Sequence, residues 1–254
     1  MLETNIQEFY DDMAEYYHLI FNNWEHSIDY HATVVDRLFM QLGISKESLI
    51  LDCACGIGTQ IIGLARLGYK MFGSDISSNE IARAKTEAIN RGLSIDFRVA
   101  DFRSLDRFFA NTFDVVLAID NALPHLTQNA DFVNALRSIY KQTTENGVFI
   151  ASIRDYDEIL KLKPSNSPPS VISTVAGKRI VFQVWDWQED EYDFTQYIIV
   201  DEDNKLNTHK FCSRYKALTR SELTAGLLLA GYRDVKWIFP EESGFYQPVV
   251  IAEK

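Results

Sequence analysis

Two glycines follow the first strongly apolar segment of the chain, in the run Asp52-Cys53-Ala54-Cys55-Gly56-Ile57-Gly58. Because glycine has no Cβ, the backbone can turn sharply there and approach a ligand closely. A helix that begins just after such a loop offers unpaired N–H groups to a polar ligand. The run is therefore predicted to be a nucleotide-cofactor loop, whose residues are Asp52, Ala54, Gly56 and Gly58.

Acidic residues end the next two predicted strands. A carboxylate at Asp75, which Ile76 follows, can accept both hydroxyls of a ribose and repels a 2′-phosphate. Asp101 and Phe102 come after the third strand, where an acceptor and an aromatic face could bracket an adenine. Ligands of parallel α/β sheets bind at the carboxyl ends of the strands, so these residues are expected to share a cavity. The alternative is that the aspartates only cap the helices that follow them.

The choice of cofactor depends on a missing glycine. A dinucleotide fingerprint needs a third glycine, but Ile61 stands three residues after Gly58. That glycine is less necessary where there is no pyrophosphate to hold. The loop therefore favours S-adenosylmethionine over NAD.

The elements that must position these residues alternate between short apolar runs and longer amphipathic ones. Strands and helices in this alternation predict an α/β fold, a Rossmann-like doubly wound sheet with helices on both faces. The predicted strands are 48–55, 69–77, 93–101, 113–120 and 148–154, and the predicted helices are 59–68, 77–92 and 129–147.

The segments on either side of this region have other patterns. Residues 3–42 are predicted to be helical, whereas 163–170 hold three prolines and three serines and are expected to be irregular. Apolar runs joined by polar turns then predict a small inserted antiparallel β-sheet. Its strands are 179–187, 194–202 and 209–218, and a helix at 218–232 and strands at 234–240 and 246–254 follow.

Four segments, LDCACGIG, SDIS, VADFR and FDVVLAID, together resemble the class I S-adenosylmethionine-dependent methyltransferases over residues 48–154. Most members of that family carry glycine at the position of Ala54, and the glycine and glycine/sarcosine N-methyltransferases carry alanine. Residues 120–126 (DNALPHL) and 154–160 (RDYDEIL) are similar to the G-N-S-F-x-H-L and R-N-Y-D-x-I-L stretches of that subgroup. Asp120 departs from the pattern, because it replaces the glycine.

The resemblance implies a sheet of seven strands, mostly parallel with an antiparallel last strand, and S-adenosyl-L-methionine as the cofactor. It implies a helical cap over the active site at 1–42 and a cofactor-binding core at 43–160 and 218–254. The inserted sheet, 161–217, would form the substrate side.

The same resemblance implies roles for single residues. Arg154 would bind a substrate carboxylate and Asn121 would orient the substrate, with Tyr156 beside them. The alternative for Arg154 is a salt bridge to Asp155 or Asp157. His125 could be a base, although a structural hydrogen bond is favoured. Tyr17 and Trp24 are candidates to close over the cofactor, and the alternative is that they belong to the core.

Composition limits the partners. The chain has 36 acidic and 25 basic residues and a net charge of −11, so its surface is expected to repel nucleic acids and anionic membranes. Its three cysteines and the absence of an apolar run of membrane-spanning length or a secretory signal favour a cytoplasmic protein with reduced thiols. No metal site is expected, and a homo-oligomer remains possible.

The leading hypothesis is methyl transfer to the amine of glycine, sarcosine or a similar small amino acid. A second hypothesis keeps the cofactor but changes the acceptor to a phenol, a natural product or another amine. A third is an NAD-dependent oxidoreductase on a similar sheet. A fourth is a regulator that binds the cofactor without catalysis.

Overall fold

The computed structural model describes residues 5–175, 177–202 and 205–254, and its N-terminal segment is helical but divided. Helix α1 spans Ile6–Met13, a 3-10 turn spans Tyr17–Ile20, and α2 spans Trp24–Gln41. Asn5 and Asn23 each accept a backbone N–H and so begin α1 and α2 as N-caps. The helical prediction for 3–42 is confirmed in type but not in continuity. Residues 1–4 of the predicted cap lie outside the described residues.

The next elements confirm the predicted alternation of strands and helices. Helix caps agree with the sequence: the Ser77 side chain accepts the backbone N–H of Glu80 at 3.0 Å at the start of the fourth helix. The elements are β1 (Leu49–Asp52), α3 (Thr59–Arg66), β2 (Lys70–Asp75), α4 (Ser78–Asn90), β3 (Asp96–Val99), β4 (Phe113–Ala118), α5 (Asn129–Gln142) and β5 (Thr143–Ser152).

The boundary between α5 and β5 differs from the prediction. The helix predicted over 129–147 ends at Gln142, and the strand predicted to begin at 148 begins at Thr143. Thr143 has an extended backbone, with ψ of 134°, and pairs with Phe113 of β4. Branching at Cβ disfavours helix and favours strand, so Thr143 and Thr144 end the helix before Gly147 can.

The inserted segment begins with a short helix that the sequence did not predict. After α6 (Tyr156–Leu162), residues 163–169 are irregular apart from a single β-bridge at Asn166. The antiparallel sheet then has an additional edge strand, and its order is β6-β7-β8-β9. Its strands are β6 (Ser170–Ser173), β7 (Gly177–Gln188), β8 (Glu191–Glu202) and β9 (Lys205–Lys216). Residues 176, 203 and 204 of the insert lie outside the described residues.

The chain then returns to the first sheet. Thr219 and Glu222 form a capping box at the start of α7 (Arg220–Ala230), and β10 (Arg233–Ile238), α8 (Pro240–Ser243) and β11 (Val249–Glu253) follow. The strand order is β3-β2-β1-β4-β5-β11-β10, and only β11 runs antiparallel to its neighbours. This sheet of seven strands confirms the Rossmann-like fold.

Packing of α2 on α3 fixes the N-terminal segment to the core. A Cβ at Gly63 of α3 would lie 2.6 Å from the Ala32 Cβ and 2.6 Å from the Ile28 carbonyl oxygen, so the two helices approach closely because this residue is glycine. The start of α3 follows the glycine loop, and α2 therefore supports that loop from behind. In the part of the chain that the structure describes, no helix is long and apolar enough to cross a bilayer.

Candidate active site

The loop after β1 has the sharp turns that its glycines predict. Gly56 and Gly58 both have left-handed backbones, with φ of +52° and +100°. The Gly56 N–H donates to the Asp75 carboxylate at 3.0 Å, which ties the loop to the end of β2. A Cβ at Gly58 would lie 2.8 Å from Ile62 Cδ1. Both glycines are thus required by the loop's shape, independently of any ligand.

Two buried aspartates lie beneath this loop. The Asp75 carboxylate also accepts the Ser77 N–H at 2.9 Å, and burial raises its pKa to about 6 although these N–H donors oppose the rise. Asp52 accepts the Ala54 N–H at 3.3 Å, and burial raises its pKa to about 7. Because both pKa values lie close to neutrality, the protonation of these two carboxyl groups changes around neutral pH.

The third predicted strand end has a partly different role from the one expected. The Asp101 side chain accepts the Arg103 N–H at 2.8 Å and forms an ion pair with the Arg103 guanidinium at 2.6 Å. The guanidinium also pairs with Asp131 at 2.7 Å. Asp101 therefore caps the 3-10 turn that follows, as the alternative reading held, while it and Phe102 still line the cavity described next.

A first cavity lies over the carboxyl ends of β1, β2 and β4 and contains about 790 Å³ of space, including its open mouth. The residues predicted to contact the cofactor that do line it are Tyr17, Ala54, Gly56, Asp75, Ile76, Asp101 and Phe102.

The other three predicted cofactor residues lie outside that lining. Asp52 and Gly58 support the loop from behind, as described above. Trp24 lies at the start of α2, and its indole N–H donates to the Thr59 hydroxyl at 2.9 Å. Its ring packs beside the Arg83 and Arg91 guanidinium groups. Trp24 thus contacts Thr59, the first residue of α3, and it is Thr59 that lines the cavity.

The predicted acceptor-side residues form a connected network. Asp120 and Asn121 follow β4 with left-handed backbones, with φ of 67° and 66°, which is unusual for residues that carry a Cβ. The Asn121 amide donates to the Tyr156 hydroxyl at 3.0 Å, and its oxygen accepts the Arg154 N–H at 3.0 Å. Asn121 therefore joins the loop after β4 to the loop after β5. Tyr156 is fully buried beneath them and does not reach the cavities.

The Arg154 guanidinium has only neutral partners among the described residues. It donates to the Tyr192 hydroxyl at 2.9 Å and to the Gln183 side-chain oxygen at 3.0 Å. The alternative salt bridges to Asp155 and Asp157 are not formed, because both carboxylates pair with Arg220. A guanidinium has five N–H donors, so two hydrogen bonds leave three for a ligand.

Arg154 faces a second, wider cavity between the core and the inserted sheet. This cavity contains about 1840 Å³ of space including its open part, and Arg154 is the only Lys or Arg among the described residues that line it. Gln183, Gln196 and Tyr215 of the insert line its other side. The two cavities share Tyr10, Tyr17 and Asp120, so they meet at these side chains.

His125 lines the first cavity close to this junction. Its Nε2 lies 2.7 Å from the Tyr10 hydroxyl, and its ring packs against Tyr215 with centroids 4.3 Å apart. Burial lowers the pKa of His125 to about 3, with a hydrogen bond to the Arg214 backbone opposing and the Arg154 charge adding to the shift. A neutral, buried imidazole that receives the Tyr10 hydroxyl has the structural role that the sequence favoured.

Sequence reasoning missed several residues of the site. Glu80 lines the first cavity, but its position in a Ser-x-x-Glu pattern resembles an ordinary helix cap. Gln183 and Tyr192 lie on strands whose pairing the sequence does not specify. A regular alternation in β8 was the available signal, since Tyr192, Phe194, Gln196 and Ile198 are all buried.

The charges of the first cavity distinguish between cofactors. Asp75 and Asp120 line it without an ion-pair partner among the described residues, while Asp101 is paired with Arg103, the one cationic side chain of the lining in the described part of the chain. Such a lining repels a pyrophosphate and suits a cofactor with a ribose and a positively charged sulfonium. Fold and site together define a nucleoside-cofactor protein of the Rossmann-like class, and its residues fit S-adenosylmethionine.

Known proteins resemble the chain over the core that carries the first cavity. Residues 50–147 match the family described as "Methyltransferase domain". The chain is 31% identical over 158 residues to the glycine/sarcosine N-methyltransferase of Parasynechococcus marenigrum (strain WH8102), covering 61% of this chain and 54% of that protein. The chain thus contains a methyltransferase domain and is similar to S-adenosylmethionine-dependent methyltransferases. It spans little more than half the length of the first curated relatives that it matches.

Solved structures show the same fold over nearly the whole chain. The CcbJ methyltransferase from Streptomyces caelestis has a TM-score of 0.77 at 16% identity and covers 98% of both chains. CalS10, an amino pentose methyltransferase from Micromonospora echinaspora, has a TM-score of 0.72 at 17% identity and covers 100% of this chain and 98% of its own. At these identities the likeness concerns the fold alone.

Proposed function

We propose that the protein transfers a methyl group from S-adenosylmethionine to the amine of a small amino acid of the glycine and sarcosine type. The observation that carries this proposal is the Arg154 guanidinium, which faces the second cavity with neutral partners only. A cation held in this way is stabilised by a carboxylate, which a guanidinium can bind through two parallel hydrogen bonds. The curated relatives named above support an amino-acid acceptor.

The arrangement of charge in the second cavity fits a zwitterion. Arg154 supplies the positive group, and Asp120 supplies a carboxylate at the junction of the two cavities. Tyr246 donates a hydrogen bond to Asp120, and the Asp120 N–H donates to the Ser152 hydroxyl at 2.8 Å, so the position of Asp120 is fixed on two sides. A carboxylate of the acceptor at Arg154 would thus place its amine towards Asp120.

Catalysis by these residues consists mainly of alignment. S-adenosylmethionine, when bound, supplies an electrophilic methyl group on a sulfonium. Arg154 and Asn121 orient the acceptor, and Tyr10 and Tyr17 line the junction of the two cavities. Asp120 orients the amine there, and the amine attacks as the neutral base after its proton has passed to solvent, with S-adenosylhomocysteine as the leaving group. Holding the reacting atoms in line removes much of the entropic barrier to displacement, and His125, being neutral and engaged with Tyr10, is not required as a base.

A larger amine is the second candidate. The second cavity is wide for an acceptor of glycine's size, and several of its lining residues are aromatic, among them Phe9, Tyr17, Phe194 and Tyr215. The structural relative CalS10 is described as an amino pentose methyltransferase, which supports an amine on a larger, neutral ring. This candidate needs no carboxylate and leaves Arg154 without an ionic partner.

The experiment compares each amino acid with the amine that lacks its carboxylate: glycine with methylamine and sarcosine with dimethylamine. Arg154→Met should lower kcat/KM for the amino acids about 100-fold, since two charge-assisted hydrogen bonds contribute about 3 kcal/mol, and leave the slow reaction of the amines unchanged. Arg214→Met is the matched control, because Arg214 pairs with Asp193 and lines neither cavity. Asp75→Ala should instead weaken binding of S-adenosylhomocysteine.

Three results would contradict the proposal. Normal turnover of glycine and sarcosine by Arg154→Met would show that the guanidinium does not bind the acceptor. Methylation of amino sugars but of no amino acid would select the second candidate. Tight binding of S-adenosylhomocysteine with no turnover in a panel of amines and hydroxylated acceptors would indicate a regulator, and thermal stabilisation by NAD alone would indicate an oxidoreductase.

A further inference from the structure

The Glu80 side chain points inward from the first turn of α4 and lines the first cavity. Only 1% of its surface is exposed, and its Oε1 has no hydrogen-bond partner among the described residues. We propose that Glu80 is a cofactor-binding residue, whose protonated carboxyl group donates a hydrogen bond to an oxygen of the nucleoside half of S-adenosylmethionine. This inference rests on the cofactor of the family and is independent of the acceptor.

The ordinary role for this glutamate is already taken. In a capping box, the glutamate at the third helical position accepts the N–H of the cap residue, here Ser77. That N–H donates to Asp75 Oδ1 at 2.9 Å instead, and only the other half of the box is present, from the Glu80 N–H to the Ser77 hydroxyl. Glu80 therefore does not cap α4 with its side chain, and a helix end does not explain its burial.

Glu80 and Asp75 both contact the glycine loop, so both would face the ribose of the cofactor. Its Oε2 lies 3.3 Å from where a Cβ of Gly56 would stand, which places the carboxyl group against the glycine loop. Asp75, which also binds the Gly56 N–H, can only accept hydrogen bonds when it is ionised. Each ribose hydroxyl both donates and accepts, so an ionised Asp75 leaves ribose oxygens that need a donor. A neutral Glu80 supplies that donor.

The surroundings of Glu80 keep it neutral. Burial, and then the charges of Asp75 and Asp11, raise its pKa well above the usual range. Among the described residues, the other titratable groups that face it are also acids or neutral hydroxyls and thiols: Tyr10, Tyr17 and Cys55. A carboxyl group in this environment is a hydrogen-bond donor at neutral pH and becomes a repulsive, desolvated charge as the pH rises.

Two substitutions with side chains of similar size separate the effect of the Glu80 hydrogen-bond donor from the effect of its charge. Glu80→Gln keeps a donor and cannot ionise, whereas Glu80→Met fills the space without a polar atom. Calorimetric titration with S-adenosylhomocysteine should give wild-type affinity for Glu80→Gln and about tenfold weaker binding for Glu80→Met, because the acceptor on the ligand loses its partner. 5′-Methylthioadenosine keeps adenine and ribose but lacks the amino acid, and it should show the same ratio between the two variants.

The pH dependence provides a second readout, on the protein without ligand. A group with a raised pKa in the folded state contributes stability below its unfolded pKa and loses it as the pH rises. The melting temperature of Glu80→Gln should therefore increase relative to wild type as the pH rises from the ordinary glutamate pKa of 4.5, and the difference should level off once the raised folded-state pKa of Glu80 is passed. Wild-type affinity for S-adenosylhomocysteine should fall only above that raised pKa, while that of Glu80→Gln stays level.

Glu87→Gln is the matched control on the same helix. Glu87 pairs with Arg83 and Arg91 at 2.5 Å, and although burial opposes it, these hydrogen bonds lower its pKa. This variant should be less stable than wild type at neutral pH, the opposite sign, and should bind S-adenosylhomocysteine normally. Wild-type affinity in Glu80→Met, equal losses in Glu80→Gln and Glu80→Met, or a Glu80→Met effect absent with 5′-methylthioadenosine would each overturn the proposal.

Discussion

Replacing His125 tests the electrostatics of the junction between the cavities. Burial lowers the pKa of this imidazole from 6.5 to about 3, so the folded protein keeps it neutral while the unfolded chain takes up a proton below about pH 6.5. Stability that is present above pH 6.5 is therefore lost as the pH falls. At about pH 5 the loss is 1.5 pH units at about 1.4 kcal/mol each, or about 2 kcal/mol.

His125→Gln is the suitable change, since glutamine keeps an acceptor for the Tyr10 hydroxyl and cannot ionise. Urea denaturation at about pH 7.5 and about pH 5 gives the free energy of unfolding of wild type and variant. The variant pays a constant cost for lost packing against Tyr215, and its deficit should shrink by about 2 kcal/mol at the lower pH. Other acids titrate in both proteins, so their effects cancel in the difference.

The exposed His26 on α2 provides a control, because His26→Gln removes a histidine without disturbing the core. A deficit of His125→Gln that is the same at both pH values would refute the claim that this histidine is buried in the neutral form. A loss of methyl transfer in His125→Gln that exceeds the variant's loss of cofactor affinity would also refute the structural role of His125.

Gly58→Ala should lower the free energy of unfolding by about 2 kcal/mol, because the strain of the left-handed backbone and the 2.8 Å approach to Ile62 add. Gly68→Ala should cost less, because Gly68 has a similar φ of +92° but open space around it, and equal effects of the two substitutions in urea denaturation would contradict the role of the contact. Asp120→Asn should raise KM for a zwitterionic acceptor about tenfold in steady-state kinetics. Its affinity for S-adenosylhomocysteine, measured by calorimetry, should stay within about threefold of wild type. An effect on cofactor affinity alone would contradict the proposed contact between Asp120 and the acceptor.

The cofactor side of the site follows closely from the sequence, and the reason is local. Strand, loop and helix are consecutive in a βα unit, so Gly56 and Asp75 could be assigned to neighbouring strand ends from hydrophobic periodicity alone. The same reasoning failed at Glu80, where a Ser-x-x-Glu pattern has a standard local meaning that the competition for the Ser77 N–H removes. It also failed at Trp24, whose distance from the cavity depends on how α2 packs.

The acceptor side could be predicted only as far as Arg154 and Asn121. Their neighbours come from elements distant in sequence: Gln183 and Tyr192 reach Arg154 through the register of an antiparallel hairpin. Register depends on pairing and turn geometry, which single-residue patterns do not fix. The ion pairs of Arg220 with Asp155 and Asp157 could not be predicted either, because Arg220 begins α7 and is separated from both aspartates in sequence by the whole insert.

The antiparallel sheet is inserted between β5 and α7 and contributes side chains to only one of the two cavities. In the described part of the chain, the insert contributes residues to the second cavity and none to the first, whose lining residues all precede it in the chain, whereas the N-terminal helical segment contributes to both. Changes confined to the insert can therefore alter the second cavity while every residue that lines the first cavity stays the same.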